Sequence, residues 1–339
     1  MYNPIRVVQA PLLTILPGSN KKVINISSHH PADILKQLDL VTVEHDTVLL
    51  TNGDVWRYFD LVESIVNHPN LQHKKVFLQT LGYTNTRLND RSWEISYPMY
   101  YWLREKSTME FVAKPRNLKH GFSCLNNNNN MHRTLLGYWL YRKNLLGDII
   151  FSQNIVNDGQ AFSQICQNIN DLGFKDFEDY KKLLPIRYNE TNDVNANFAT
   201  DYPIHMISHD AYTKAYCNIV TESECEEYPY EKNINLPVVT EKSYKPLRAG
   251  QVPIMLAACG HIAYLKSLGF EMMEELLPSY YDQMNPWQKI KAIRQVVSQG
   301  SEFMEDFYFS HLQEIQHNYE LVNSDKVEQV ILQKIKDIL

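Results

Sequence analysis

The chain has no excess of basic charge: 33 Lys and Arg stand against 39 Asp and Glu, for a net charge of -6. A nucleic-acid binder draws much of its affinity from phosphates neutralised by clustered Lys and Arg, so nucleic acid is not expected as a partner. Cysteine is sparse and odd in number, with five residues at 124, 166, 217, 225 and 259. That spacing contains no Cys-x-x-Cys pair, which excludes the usual zinc knuckle and argues for reduced thiols over a disulfide framework. No window reaches the roughly 18 consecutive apolar residues of a membrane span. The opening MYNPIRVVQAPLLTIL has neither the basic start nor the continuous apolar core of a leader peptide. These absences give the expectation of a cytoplasmic protein with no membrane span. No internal repeat stands out, and the composition leaves the oligomeric state open.

What is present is the makeup of a folded chain. Hydrophobic residues form 44% and charged residues 21% of 339 residues, enough apolar surface to offset the entropy of ordering. That length exceeds one ordinary core and suits two. In the first stretch HHPADILKQLDL reads as a helix, DTVLLTNGD as a buried strand with a polar loop, YFDLVESIVNHPN as an amphipathic helix and KKVFLQTLGY as a strand. Alternation of this kind implies a parallel sheet covered on both faces. A change to aromatic, then Pro- and Lys-containing sequence places a junction near residues 100–117.

A second alternating series follows. KHGFSCLN reads as a strand that runs into Asn126–Asn130, a polar loop, since Asn tolerates left-handed backbone and caps helices. MHRTLLGYWLYRKNLL is strongly helical, DIIFSQN and AYCNIVTES read as strands, and residues 155–200 carry only weak helical signals in DGQAFSQICQNINDL and FEDYKKLL. ECEEYPYEKNINLP reads as an acidic loop. After it, Thr240 is placed to cap a helix, Gly250 to end it, and VPIMLA to form a compact strand leading to a Gly-His turn and a further helix. From Asn285 the repeated apolar spacing is helical. The expected architecture is α/β with two Rossmann-like domains, at 1–112 and 113–284, and a helical appendage at 285–339.

The segment TEKSYKPLRAG gathers residues suited to one kind of ligand. Lys242 stands at a helix start, where an anion is favoured, and Glu241 beside it can accept from hydroxyl groups. Lys245 and Arg248 follow Glu241 by four and seven residues, on one helical face. A solvated charged face is the alternative reading of that spacing. Pro246 removes one backbone hydrogen bond and predicts a kinked or late-starting helix. The preceding and following apolar strands put the segment at the carboxyl edge of a sheet, where open α/β folds bind ligands. Cations and helix ends around a diphosphate, an acceptor for ribose hydroxyls and a carboxylate base are what sugar transfer from a nucleotide donor requires.

Taken in order, Arg133 in SCLNNNNNMHRTLLGYWL, TES at 221–223 and VTEKSYKPLRAGQVPIML resemble the nucleotide-binding half of the α-1,3-fucosyltransferase family. They also resemble a wider group of bacterial and viral glycosyltransferase-like proteins with a TEKxxKPxxAGxP signature. The resemblance covers the second half of the chain and implies the GT-B architecture, two Rossmann-like domains facing a cleft with the donor held by the C-terminal one. It implies Arg133 and Lys242 on the donor diphosphate, Glu241 on the ribose, and Glu222 with Ser223 lining the nucleotide pocket. Lys245 and Arg248 are weaker donor contacts. Asn stands in the family where this chain has Glu222, so the donor base and sugar, GDP- or UDP-linked, stay open.

The general base would come from the N-terminal domain. Asp54 in LLTNGDVW follows a buried strand and a Gly-containing loop and is the first choice; helix capping is the other use for such a residue. His29, His30 and Glu94 are further candidates, Glu63 is expected to face solvent, and His132 reads as a satisfied core histidine. The run ESECEE reads as a loop. No Asp-x-Asp occurs, so metal-independent transfer is expected, with no cofactor beyond the nucleotide-sugar donor. The acceptor is a glycan or another hydroxyl-bearing partner. Transfer to modified DNA or protein, or binding of a nucleotide sugar or partner without catalysis, remain the alternatives.

Overall fold

A computed structural model describes residues 23–27, 36–39, 41, 47–51, 61–80, 86–96, 110–126, 130–154, 159–171, 173–174, 176–186, 210–222, 225 and 239–339. The fold is mixed α/β with largely parallel sheets. The chain divides into two units: the first draws on Met1–Leu103, Leu236–Val239 and Asp325–Leu339, the second on Arg104–Asn235 and Thr240–Ser324. The segment 285–339 is thus shared between the units rather than forming a body of its own.

In the first unit, β1 (Val23–Ser27), β2 (Thr47–Thr51) and β3 (Lys75–Thr80) are parallel neighbours. Helix α1 (Leu61–Val66) connects the last two. β4 (Thr86–Asn89) and β5 (Ser92–Ser96) form an antiparallel hairpin whose second strand runs parallel to β3. The hairpin was not legible as two strands; its turn is closed by Arg91 N donating to Asn89 Oδ1 at 2.8 Å, a local Asx contact. Val48, Leu50, Val76 and Leu78, spaced by two, bury one face against Leu38, Ile65 and Leu71. Leu49 and Phe77 bury the other, with Phe77 stacked on Trp93 at 4.9 Å. Burial on both faces explains the unbroken apolar run of these strands.

The second unit holds a four-stranded, wholly parallel sheet of β6 (His120–Asn126), β7 (Ile149–Gln153), β8 (Ala215–Thr221) and β9 (Val252–Leu256) in the spatial order β7-β6-β8-β9. Around it lie α2 (Met131–Arg142), α3 (Gly159–Asp171), α4 (Phe177–Leu183), α5 (Asp210–Thr213), α6 (Glu241–Arg248), α7 (His261–Ser267), α8 (Pro286–Val297), α9 (Gly300–Ser310) and α10 (Leu312–Asn323). All residues of β8 and β9 are buried. Helix α2 approaches the sheet at Gly137, where a Cβ would meet the Tyr180 hydroxyl at 2.0 Å and Gln153 Oε1 at 2.6 Å. The segment before β6 is held to this unit by side chains. Lys114 Nζ donates to the carbonyls of Tyr212 and Ala249, at the ends of α5 and α6, and Asn117 N donates to Glu305 Oε2 of α9.

Helix α6 forms as its residues dictate. Thr240, extended at φ -112°, accepts from Lys242 N and caps the first turn. Gly250 at φ 59° ends it, with Gly250 N donating to Leu247 O and Gln251 N to Pro246 O, the paired bonds of a Schellman stop. Helix α11 (Lys326–Lys336) belongs to the first unit, where Val327, Ile331 and Ile335 bury its apolar stripe and it packs on β5. No helix of the described residues is long and apolar enough to cross a membrane.

Candidate functional site

The strand order of the second sheet reverses between β6 and β8. From β6 the chain proceeds to β7 on one side, and its next strand, β8, lies on the other side of β6. The carboxyl ends of β6 and β8 therefore flank a topological switch point, the place where loops part and ligands bind in open α/β sheets. Residues at both ends meet there: Thr221 Oγ1 donates to Asn126 Oδ1 at 2.5 Å.

Helix α2 starts beside this junction and sends two side chains across it. His132 Nε2 lies 2.9 Å from the carbonyl of Glu222, and Arg133 Nη2 donates to the carbonyls of Thr221 and Glu222 at 3.0 and 2.9 Å. Burial, reinforced by the neighbouring guanidinium, pushes the His132 imidazole down to about 3. The ring is neutral, and its Nε2–H is the donor. This is the satisfied core histidine expected from the sequence. Arg133, expected on the donor diphosphate, is 2% exposed, and its guanidinium clamps the end of β8.

Glu222 is fully buried, and its carboxylate is the hub of the site. It accepts from Thr240 N at 3.2 Å, Thr240 Oγ1 at 2.7 Å and Ser243 Oγ at 2.5 Å. Burial raises such a carboxyl, but the charge of Lys242 and the hydroxyls of Ser243 and Thr240 outweigh it and hold the group below its ordinary value. Ser243 has one proton, which goes to the carboxylate. His261 Nε2, 2.9 Å from Ser243 Oγ, must then carry the hydrogen of that second contact. Burial lowers the His261 imidazole, consistent with this neutral Nε2–H tautomer. The path His261 to Ser243 to Glu222 thus links the starts of α7 and α6 to the end of β8. Lys242 Nζ, donating to Thr240 Oγ1 at 3.2 Å, supplies the positive charge.

Glu222, expected to line a nucleotide pocket, is a buried anchor that joins the end of β8 to the start of α6. Lys242 and Lys245 are half-buried. Arg248, expected on one face with Lys245, is 5% exposed because α6 packs against α10; it cannot line an open face. Pro246 stands inside α6, which starts at Glu241, so its missing N–H shortens neither end of the helix. Asp54, Ser223, His29 and His30 lie outside the described residues, as do the side chains of Glu241 and Glu94. Glu63 is exposed on α1, as expected.

Sequence reasoning missed Asn126, Ser243 and His261 as members of one network. The Gly-His turn was visible, but its 18-residue separation from Ser243 carries no local signal. Among the described residues no group of three or more His, Cys, Asp or Glu is placed to hold a metal ion, and no disulfide joins the cysteines. No family model matches this chain, and no curated protein or solved structure matches it either.

Proposed function

We propose that the chain is a GT-B glycosyltransferase whose second unit binds a nucleotide-sugar donor at the carboxyl edge of its parallel sheet. One observation carries this reading: the three separated segments of the motif come together within hydrogen-bond distance. Arg133 reaches the Glu222 carbonyl at 2.9 Å, and the Glu222 carboxylate reaches Thr240 of the TEK segment at 2.7 Å. A switch point bordered by helix starts and half-buried lysines suits a diphosphate. Lys242, with Lys245 behind it, neutralises the phosphates as the leaving group departs. Glu241 accepts from the ribose, Ser223 completes the pocket, and Arg133 and Glu222 fix its floor. The acceptor is a glycan or other hydroxyl-bearing molecule taken by the first unit, with Asp54 as base and direct, inverting displacement without a metal.

The test is a thermal-shift screen against GDP- and UDP-sugars, followed by a transfer or hydrolysis assay with the stabilising donor. A ligand at a hundred times its Kd stabilises the folded state by about 2.7 kcal/mol, a readily measured shift. Absence of stabilisation by every nucleotide overturns the donor-site reading. A donor that binds to an Asp54→Asn enzyme of full activity removes Asp54 as the base and leaves the donor site standing.

A further inference from the structure

The turn after β9 is held down by three successive side chains from one segment. Tyr281 donates its hydroxyl to the carbonyl of Met255 at 2.8 Å. The Asp282 carboxylate accepts from Ile262 N and Ala263 N at 3.1 and 3.0 Å, capping the start of α7. Gln283 Oε1 accepts from Cys259 Sγ at 2.8 Å. These contacts pin residues 281–283 to the carboxyl edge of the sheet, beside the His261 turn that joins the Glu222 network.

The residue just before them does the opposite. The Tyr280 side chain is 62% exposed and makes no hydrogen bond or ring contact among the described residues, while Gln283 N donates to the Tyr280 backbone carbonyl at 3.0 Å. An aromatic ring in water is ordinary on a loose loop. Here its backbone is fixed by the three residues that follow, of which Tyr281 is buried on the end of β9 and Asp282 and Gln283 bind the turn and the start of α7, at the edge where ligands bind in open α/β sheets. A tyrosine has few rotatable bonds, so holding its ring ready for a flat partner costs little entropy.

We propose that Tyr280 is the stacking platform for the base of the bound nucleotide, its ring face against the base face. This rests on the donor-site reading of the second unit and adds to it the residue that receives the base. Stacking engages any base through its π face, so Tyr280 supplies affinity for the nucleoside end without choosing between GDP and UDP. The phosphates are left to Lys242 and Lys245.

The experiment measures Kd for GDP, UDP and inorganic pyrophosphate with the full chain and with Tyr280→Ala and Tyr280→Phe. Loss of one base stack corresponds to roughly a fivefold or greater weakening. The expected result is such a weakening for the nucleotide that the unaltered chain binds, in Tyr280→Ala alone, with Tyr280→Phe retaining affinity and pyrophosphate binding unchanged. Unaltered nucleotide affinity in Tyr280→Ala overturns the platform while leaving the donor site intact. Equal loss in Tyr280→Phe also overturns it, because the hydroxyl and not the ring would then be responsible. If the unaltered chain binds neither nucleotide, the donor-site reading itself falls, and this assignment with it.

Discussion

Ser243 gives its hydroxyl proton to Glu222, a carboxylate with no exposed surface, across a sequence separation of 21 residues. The contact ties the first turn of α6 to the end of β8 and orients the serine lone pair toward His261. A buried polar chain of this kind is favourable only while every member is satisfied.

Removing the middle of the chain should therefore be costly. Ser243→Ala leaves the carboxylate one donor short and His261 Nε2–H without its acceptor, an expected loss of about 1–3 kcal/mol. Glu222→Ala is expected to lose more, since Lys242, Thr240 and Ser243 all lose their partner. Urea denaturation followed by circular dichroism measures both; an unchanged midpoint for Ser243→Ala would sink the network as a stabilising element.

Arg133 and Lys242 should separate in their effects. Arg133 is buried on two carbonyls, so Arg133→Ala lowers the melting temperature with no ligand present. Lys242 is half-buried and supplies the charge that favours the ionised Glu222, so Lys242→Ala also lowers the melting temperature, but its distinguishing effect is on nucleotide binding, weakened by about tenfold or more as expected for one lost charge-assisted contact. Unchanged nucleotide affinity in Lys242→Ala contradicts this division.

Acid should destabilise the second unit before ordinary carboxylates titrate. The folded-state His132 is lowered to about 3 from 6.5, so the unfolded chain binds more protons between those values and stability falls as pH drops below 6.5. At pH 5 this single group removes roughly 2 kcal/mol. Glu222, also lowered when folded, adds stability that is present above its unfolded value and lost as pH falls through its folded one. Denaturation midpoints taken from pH 7.5 to 5 should decline, and His132→Asn should flatten that decline. An equally steep decline in His132→Asn would refute the assignment.

Two glycines are tied to their positions for different reasons. Gly137→Ala puts a methyl 2.0 Å from the Tyr180 hydroxyl, deep between α2, β7 and α4, with an expected cost of about 1–3 kcal/mol or more. Gly250→Ala must adopt φ 59° and also meets Phe111 at 2.8 Å, so it combines backbone strain with overpacking. Melting temperatures of the two variants test both; an Ala tolerated at 137 would mean that α2 stands farther from the sheet.

Much of this was legible locally. The Thr240 cap, the Gly250 stop, the apolar strands at 47–51, 75–80, 149–153 and 252–256, and the interior placement of His132 follow from residue type and short spacing. The β4–β5 hairpin was not, because its strands are short and its turn lacks a Gly signal.

Other features had no local signal. Arg248 and Lys245 share a helix and a charge, yet one is buried and the other half-exposed because α10 packs against α6. The sequence alone determined the α/β alternation and the residue types gathered near 240, since capping, periodicity and charge act within a few residues. Only the tertiary structure decided that Glu222 is a buried anchor, that Arg133 is a clamp and that Ser243 and His261 belong with them. Those assignments depend on parallel strands bringing together loops tens of residues apart, and on burial, which no short stretch of sequence specifies.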